Sequence, residues 1–414
     1  MPASKASRTG GKDSSVRALE ATNFFLADVQ TGLGPFLAAY LAGAGWNSGA
    51  IGIALTLGGV ISVAMQTPAG ALVDRVRGKR GVLICGSLGL GVGALLLAIT
   101  ARPWAVYTAQ GLIGAAAPFL APTLAAITMG LVGPEKFDLQ FGKNQSFNSA
   151  GNVFCALLIA GVTWLCGNRA IFIAVIILIG PTVLSALSIR GDEIDYLLAR
   201  GARAGSDGHS GAPVASIARV LLGNRALLVF LACVFLFHFA NAAMLPQLGE
   251  VLAKDSKASA APFMAACVIV TQVVIMCSAT AIGRWANRHG RKPLLLLGFG
   301  VLPIRALLYT LVHSPIALIA VQILDGVANA IFAVVSVLVV ADLTRGTGRF
   351  NLVQGGLATA VGLGAALSTT FGGQLIQHYN FSASFLALGG VAVLALLLLA
   401  LGVPETLRRS RGSA

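Results

Sequence analysis

Acidic residues are scarce in this chain: Asp and Glu number 15 against 29 Lys and Arg in 414 residues, a formal net charge of +14. Charge of either sign is thin, at 11% of residues, whereas 56% are hydrophobic and the mean hydropathy is +0.84. So little charge cannot wet the surface of a soluble core this apolar, and the chain belongs in a bilayer. A basic excess can serve nucleic acid, but such bases gather on one folded polar face. Here they fall in short segments between apolar runs, so no nucleic-acid partner is expected.

Catalytic and metal-binding patterns are missing too. The six cysteines (Cys85, Cys155, Cys166, Cys233, Cys267, Cys277) lie in apolar stretches without CxxC spacing or neighbouring histidines, and read as small core residues, not as metal ligands or disulfides. No Ser-His-Asp, HExxH or P-loop constellation is present, so neither an enzyme nor ATP hydrolysis is expected, and no cofactor or metal. Residues 1–20, MPASKASRTGGKDSSVRALE, lack the apolar core that follows the basic start of a cleavable signal peptide, and read as a short disordered tail.

What the sequence does have is apolar length. Twelve segments between residues 22 and 403 can each cross ~30 Å of hydrocarbon, which takes about 20 helical residues. Their continuity and Leu, Ala and Gly content favour helices over the ~10-residue alternating strands of a β-barrel. The fold class is therefore an all-α integral membrane protein of twelve transmembrane helices. Small residues at four-residue spacing, such as Gly89 and Gly93, suit close helix packing. Pro118 and Pro122, one turn apart in the fourth segment, predict a bend.

The polar stretch 191–224 splits these spans six and six. The expected organisation is a tail (1–20), a six-helix bundle (21–190), a central loop (191–224), a second six-helix bundle (225–403) and a C-terminal tail (404–414). Within the loop, EIDYLLAR and ASIARVLLGN predict short amphipathic surface helices joined by a Gly/Ser-rich linker. If both termini are cytoplasmic, 24 of the 29 basic residues lie on that side, the exceptions being Arg102, Arg169, Lys254, Lys257 and Arg305. The positive-inside rule then places a multi-pass protein in the plasma (inner) membrane with both termini cytoplasmic.

The halves echo one another. "GALVDRVRGKRG" and "GRWANRHGRKP" each follow the second span of a half, and Gly70 and Gly283 are 213 residues apart. Phe141 and Gln145 are echoed by Phe350 and Gln354 before the fifth span of each half. Parallel repeats of six spans build transporters whose two bundles rock about a central site.

With these features the chain resembles the major facilitator superfamily over essentially its whole length. The resemblance rests on the twelve spans, the central loop and the signature Gly-x-x-x-Asp-Arg-x-Gly-Arg-Lys between the second and third spans of a half. Gly283, Arg288, Gly290, Arg291 and Lys292 match it in the second half, with Asn287 in place of Asp. In the first half Gly70, Asp74 and Arg75 match, and Gly78 comes one position late. The resemblance implies that Asp74, Arg75 and Arg288 join a cytoplasmic charge network that closes the outward-open state. It also implies a central cavity lined by spans 1, 4, 7 and 10. Two features depart from the family's proton-driven drug exporters: Tyr107 stands three residues before Gln110-Gly111 where those proteins have Arg, and SFNSAGNVFCALL lacks their Gly-Pro pair.

Polar side chains at bilayer depth cost at least ~2.5 kcal/mol when ionisable, so each marks a candidate site. Asp28 and Thr31 lie on the first span and Gln110 on the fourth. His238 and Asn241 share a face of the seventh, as do Asp325 and Asn329 of the tenth. Arg305 lies within the ninth span, ~18 Å from the face near Pro293, and Asp325 ~15 Å from the face near Pro315, so in a ~30 Å core they stand at nearly one height and are expected to pair.

The expected function is secondary transport of a small solute by alternating access, with proton-coupled efflux by a monomer and Asp28 as the proton carrier. Proton-coupled uptake of a small organic anion at Arg305 and His238 is the alternative of the same fold. A transport-inactive sensor acting through the 191–224 loop is the alternative of another class.

Overall fold

The computed structural model describes residues 3–31, 33–167, 169–200, 224–255, 260–343 and 350–407, with the side chains of 3–12, 28–31, 33–35, 67, 74, 134, 138, 139, 200, 254, 255, 280 and 350–352 outside the description. Backbone polar groups find no water in hydrocarbon, so each apolar run satisfies its own as a helix. In chain order the helices are α1 (Ala3–Thr31), α2 (Leu33–Gly43), α3 (Ser48–Arg75), α4 (Lys79–Ile99), α5 (Pro103–Ala116), α6 (Leu120–Val132), α7 (Pro134–Cys166) and α8 (Ala170–Ser188), then α9 (Arg225–Asn241), α10 (Met244–Asp255), α11 (Ala260–His289), α12 (Arg291–Leu311), α13 (Pro315–Leu343), α14 (Phe350–His378) and α15 (Phe381–Gly402). The described residues contain no strand.

Ten stretches among the described residues are long and apolar enough to span a membrane, with α5–α6 and α9–α10 each counting as one. The pair α1–α2 and α14 occupy the first and eleventh expected positions without being among those ten. The bend expected in the fourth span is a 3-10 turn, Ala117–Phe119, centred on Pro118. Between α9 and α10 the Ala243 amide leaves the helical ladder and donates to the Ser368 hydroxyl at 3.0 Å.

Two expectations are corrected. Residues 3–20 are helical, not a disordered tail: Leu19 is fully buried, and Ser15 Oγ donates to Glu193 Oε2 at 2.6 Å, which fixes this end of α1. EIDYLLAR forms no amphipathic helix but two 3-10 turns, Gly191–Glu193 and Leu198–Arg200. Asp195 takes the local amides for itself, its Oδ1 accepting from Leu197 N and Leu198 N, while its own N–H bonds Gly130 O at 3.0 Å. Such side-chain competition for backbone donors breaks helices. In ASIARVLLGN, residues 215–223 lie outside the described residues.

The chain divides into two compact units. The first comprises Met1–Trp46, Leu57–His209 and Leu252–Ala265, and the second Asn47–Thr56, Ser210–Val251 and Ala266–Ala414. In the first, α1 packs on α7 and α8, and α4 on α5 and α8. Gly58 and Gly114 let α3 and α5 touch backbone to backbone, since a Cβ on Gly114 would strike the Gly58 carbonyl. In the second, α9 packs on α14 and α15, and α12 on α13 and α15. Its core centres on Phe237, which stacks on Phe332 with centroids 5.1 Å apart and meets Phe299 at 4.6 Å.

Candidate functional site: a buried ion pair and its hydrogen-bond shell

Two helices of the second unit present a polar face inside an apolar bundle. Arg305 and Tyr309 stand one turn apart on α12, and Gln322, Asp325 and Asn329 follow three and four residues apart on α13, so each set shares a face. Arg305 Nη1 donates to Asp325 Oδ1 at 2.5 Å, with the two side chains only 1% and 8% exposed. Arg305 Nε donates to Tyr309 Oη at 2.9 Å, and Nη1 also donates to Asn241 Oδ1 of α9. Asn329 Nδ2 donates to Asp325 Oδ1 at 2.9 Å, Thr271 Oγ1 of α11 to Asp325 Oδ2 at 3.3 Å, and Gln322 Nε2 to Tyr309 Oη at 2.5 Å.

The shell gives each charge neutral partners beyond the other charge. Buried ion pairs are tolerable only when the remaining donors and acceptors are met, because desolvation costs several kcal/mol per ion. One atom stays unmet: Gln322 Oε1 is buried without a hydrogen-bond partner among the described residues. Chemically, the cluster holds one cation, one carboxylate and, among the described residues, an amide oxygen free to accept a hydrogen bond.

The structure gathers Asn241, Arg305, Asp325 and Asn329 from the expected cavity residues. His238, one turn before Asn241, points elsewhere: its ring meets Phe332 edge-on at 4.6 Å, and its Nε2 is buried without a hydrogen-bond partner among the described residues. Gln110 is buried in the first unit, its amide against Gly58 of α3. The side chains of Asp28 and Thr31 lie outside the described residues. Sequence reasoning missed Tyr309, Gln322 and Thr271, although the four- and three-residue spacings from Arg305 and Asp325 were there to find the first two.

The two basic turns share one construction. Gly78 and Gly290 each precede the helix after the turn, Gly290 with φ of 108°. The next residue is a buried cation that bonds back to the preceding helix: Lys79 Nζ to Val73 O at 2.7 Å, Arg291 Nη1 to Ala286 O at 2.6 Å. The structural repeat thus runs at an offset of 212, one less than the Gly70–Gly283 spacing, which absorbs the late Gly78. Arg291 also pairs with Asp342 at the end of α13, Nε to Oδ2 at 3.2 Å. Glu405 accepts from Arg291 N at 2.9 Å and Lys292 N at 3.0 Å. Burial pushes the Glu405 carboxyl up, but donation from the amides of Leu407, Arg291, Lys292 and Thr406 outweighs it and holds the group below its ordinary value. Arg75 and Arg288 are exposed, Gly70 and Gly283 have room at Cβ, and the Asp74 side chain lies outside the described residues.

A third polar cluster, in the first unit, went unnoticed in the sequence. Gln140 Nε2 donates to Glu20 Oε1 at 2.9 Å and Asn144 Oδ1 at 3.1 Å, and Asn144 Nδ2 donates to Thr128 Oγ1 at 2.9 Å, tying α1, α7 and α6 together.

The described residues thus form a helical bundle, long and apolar enough to span a membrane, with charged and amide side chains buried on facing helices. The family model of the Major Facilitator Superfamily matches residues 21–281 and 233–414. An uncharacterized MFS-type transporter of Mycobacterium tuberculosis is 40% identical over 392 residues, covering 94% of this chain and 93% of its own. The chain belongs to the major facilitator superfamily, whose members are transporters and not enzymes. Solved structures share the fold at low identity. The nucleoside transporter NupG aligns with a TM-score of 0.74 at 15% identity, over 94% of this chain and 98% of its own. A peptide transporter POT gives 0.73 at 16% over 94% of each chain, and a D-xylose-proton symporter 0.69 at 15% over 95% and 98%.

Proposed function

We propose that this protein is a proton-coupled secondary transporter of the plasma (inner) membrane that exports a small solute by alternating access. It works as a monomer with both termini cytoplasmic, a reading supported by the 24 of 29 basic residues that then lie inside.

The observation that carries the coupling is the buried Arg305–Asp325 pair. A proton on Asp325 cancels the charge that compensates Arg305 and leaves the guanidinium with Asn241 and Tyr309 as acceptors. Solute that binds ionised Asp325, with Gln322 Oε1 as a further acceptor, is expelled when that carboxylate takes up a proton. Proton and solute then bind the same residues in turn, and exchange follows from linkage. Asp28 is the second carboxylate that serves this role.

Access on one face is governed by the charge network that the family resemblance assigns to Asp74, Arg75 and Arg288. At the other end of α3, a hydroxyl cluster lies within the second unit. Thr56 Oγ1 bonds Ala366 O at 2.5 Å and lies 2.9 Å from Thr369 Oγ1, and Thr370 Oγ1 donates to it at 2.7 Å.

The test is proton movement in proteoliposomes. With a pH dye inside, outward solute gradients of nucleosides, xylose and short peptides, the compounds named for the structural neighbours, form the first panel. A compound that drives proton flux only when the protein is present supports the reading. Saturable solute flux with no proton movement overturns the coupling.

A further inference from the structure

The first unit holds an apolar groove of about 620 Å³ that is separate from every polar cluster described above. It lies between α3, α4 and α5, walled by Leu72 and Val76, by Gly81 and Cys85, and by Leu112 and Phe119. Leu72, Cys85 and Leu112 are exposed, so the groove is open along its length. Among the described residues, no charged or amide side chain lines it.

Its dimensions match one leaflet. On the α4 side the lining runs from Gly78, the residue before the helix, to Gly89, eleven residue steps or ~16 Å at 1.5 Å per step. Half of a ~30 Å hydrocarbon core is ~15 Å. The wall is kept low by glycine where packing does not demand it. A Cβ on Gly81 would meet no atom within 4 Å, so the missing side chain serves the open groove and not a neighbouring helix. Glycine there costs helix stability, which a filled groove would not require.

Among the described residues, charge sits at one end of the groove. Val76 and Gly78 form the mouth beside the α3–α4 turn, and the exposed Arg75 and Arg77 alternate with them in sequence. An occupant that satisfies both ends has one acyl-chain length of hydrocarbon and an anionic group at the membrane surface.

We propose that this groove is a binding site for an anionic phospholipid of the leaflet that carries the α3–α4 turn. One acyl chain fills the space between α3, α4 and α5, and the phosphate engages Arg77. The chain restores the dispersion contacts that an unfilled groove loses, and the guanidinium gives preference to a net negative headgroup. The site does not depend on the direction or coupling of transport.

The experiment uses the full-length protein in liposomes carrying a trace of phosphatidylglycerol with a diazirine on one acyl chain, and phosphatidylcholine with the same chain as the control. After irradiation, adducts are mapped by mass spectrometry. The expected result is labelling of α4 and α5 peptides around Cys85 and Leu112, roughly five-fold higher for phosphatidylglycerol, from the worth of one basic residue near a membrane surface. Arg77→Gln reduces that preference towards the phosphatidylcholine level, and Gly81→Leu lowers labelling by both lipids. Ala115→Phe fills the same space from α5 and serves if Gly81→Leu does not fold. Equal labelling by the two lipids, or unchanged labelling in whichever filled variant folds, overturns the proposal. So does adduct formation spread evenly over the lipid-facing helices.

Discussion

Arg305 and Asp325, 20 residues apart on consecutive helices, meet at 2.5 Å inside the bundle, and Arg305 is the largest fully buried side chain among the described residues. The finding has a thermodynamic signature. Removing one partner strands the other charge and costs about 3–5 kcal/mol, whereas removing both costs less. In detergent, Arg305→Ala and Asp325→Ala should each lower Tm more than the double variant does. Additive losses, read by thermal unfolding of the purified proteins, would contradict the pairing.

Tyr309 Oη accepts from both Arg305 Nε and Gln322 Nε2. Tyr309→Phe leaves two buried donors unmet at about 1–3 kcal/mol each. A drop in Tm is expected, and adding Gln322→Leu should recover part of it by removing one of those donors. A Tm equal to wild type in the single variant would show that the hydroxyl is not an acceptor for either.

The Glu405 carboxyl has a depressed pKa in the folded protein. A depressed carboxylate contributes stability that is complete above the unfolded value, about 4.3, and is lost as pH falls through the lower folded value. Tm followed from pH 6 downward should fall on this acid limb. In Glu405→Gln the limb should flatten, with a lower Tm at neutral pH because the amide accepts less strongly from the Arg291 and Lys292 amides. Parallel curves for the two proteins would remove Glu405 from the account.

Topology is tested by thiol accessibility in intact cells. In a variant without the six native cysteines, single cysteines at Ser4, Ser206 and Ser410 should resist impermeant reagents and react after permeabilisation. Ready labelling of any one before permeabilisation would overturn the proposed orientation.

The Arg305–Asp325 contact was legible because depth in a bilayer is nearly one-dimensional. Two helices joined by a short turn, each entering at a proline, fix the height of every side chain along them. Height does not give azimuth, which is why His238 was expected in the cluster yet turns towards Phe332. Contacts between non-consecutive helices, Thr271 with Asp325 or Gln140 with Glu20, depend on bundle packing that no spacing within one helix encodes. The basic turns show the same limit. Charge placement suggested only an orientation, whereas Lys79 and Arg291 are buried ties onto the preceding helix. The expected helix at EIDYLLAR failed because apolar periodicity ignores Asp195, which captures the amides of Leu197 and Leu198.

The central claim is that a buried carboxylate of the pair exchanges a proton for solute. Its most direct test compares wild type, Asp325→Asn and Asp28→Asn in proteoliposomes, using a solute from the panel that moves protons in the wild type. Uphill accumulation driven by an imposed pH gradient is measured beside solute-for-solute exchange at equal pH. The account predicts that Asp325→Asn loses accumulation and keeps exchange. If Asp28→Asn alone shows that split, the proton belongs to the first span and the claim for Asp325 fails. Full gradient-driven accumulation in both variants would contradict the claim.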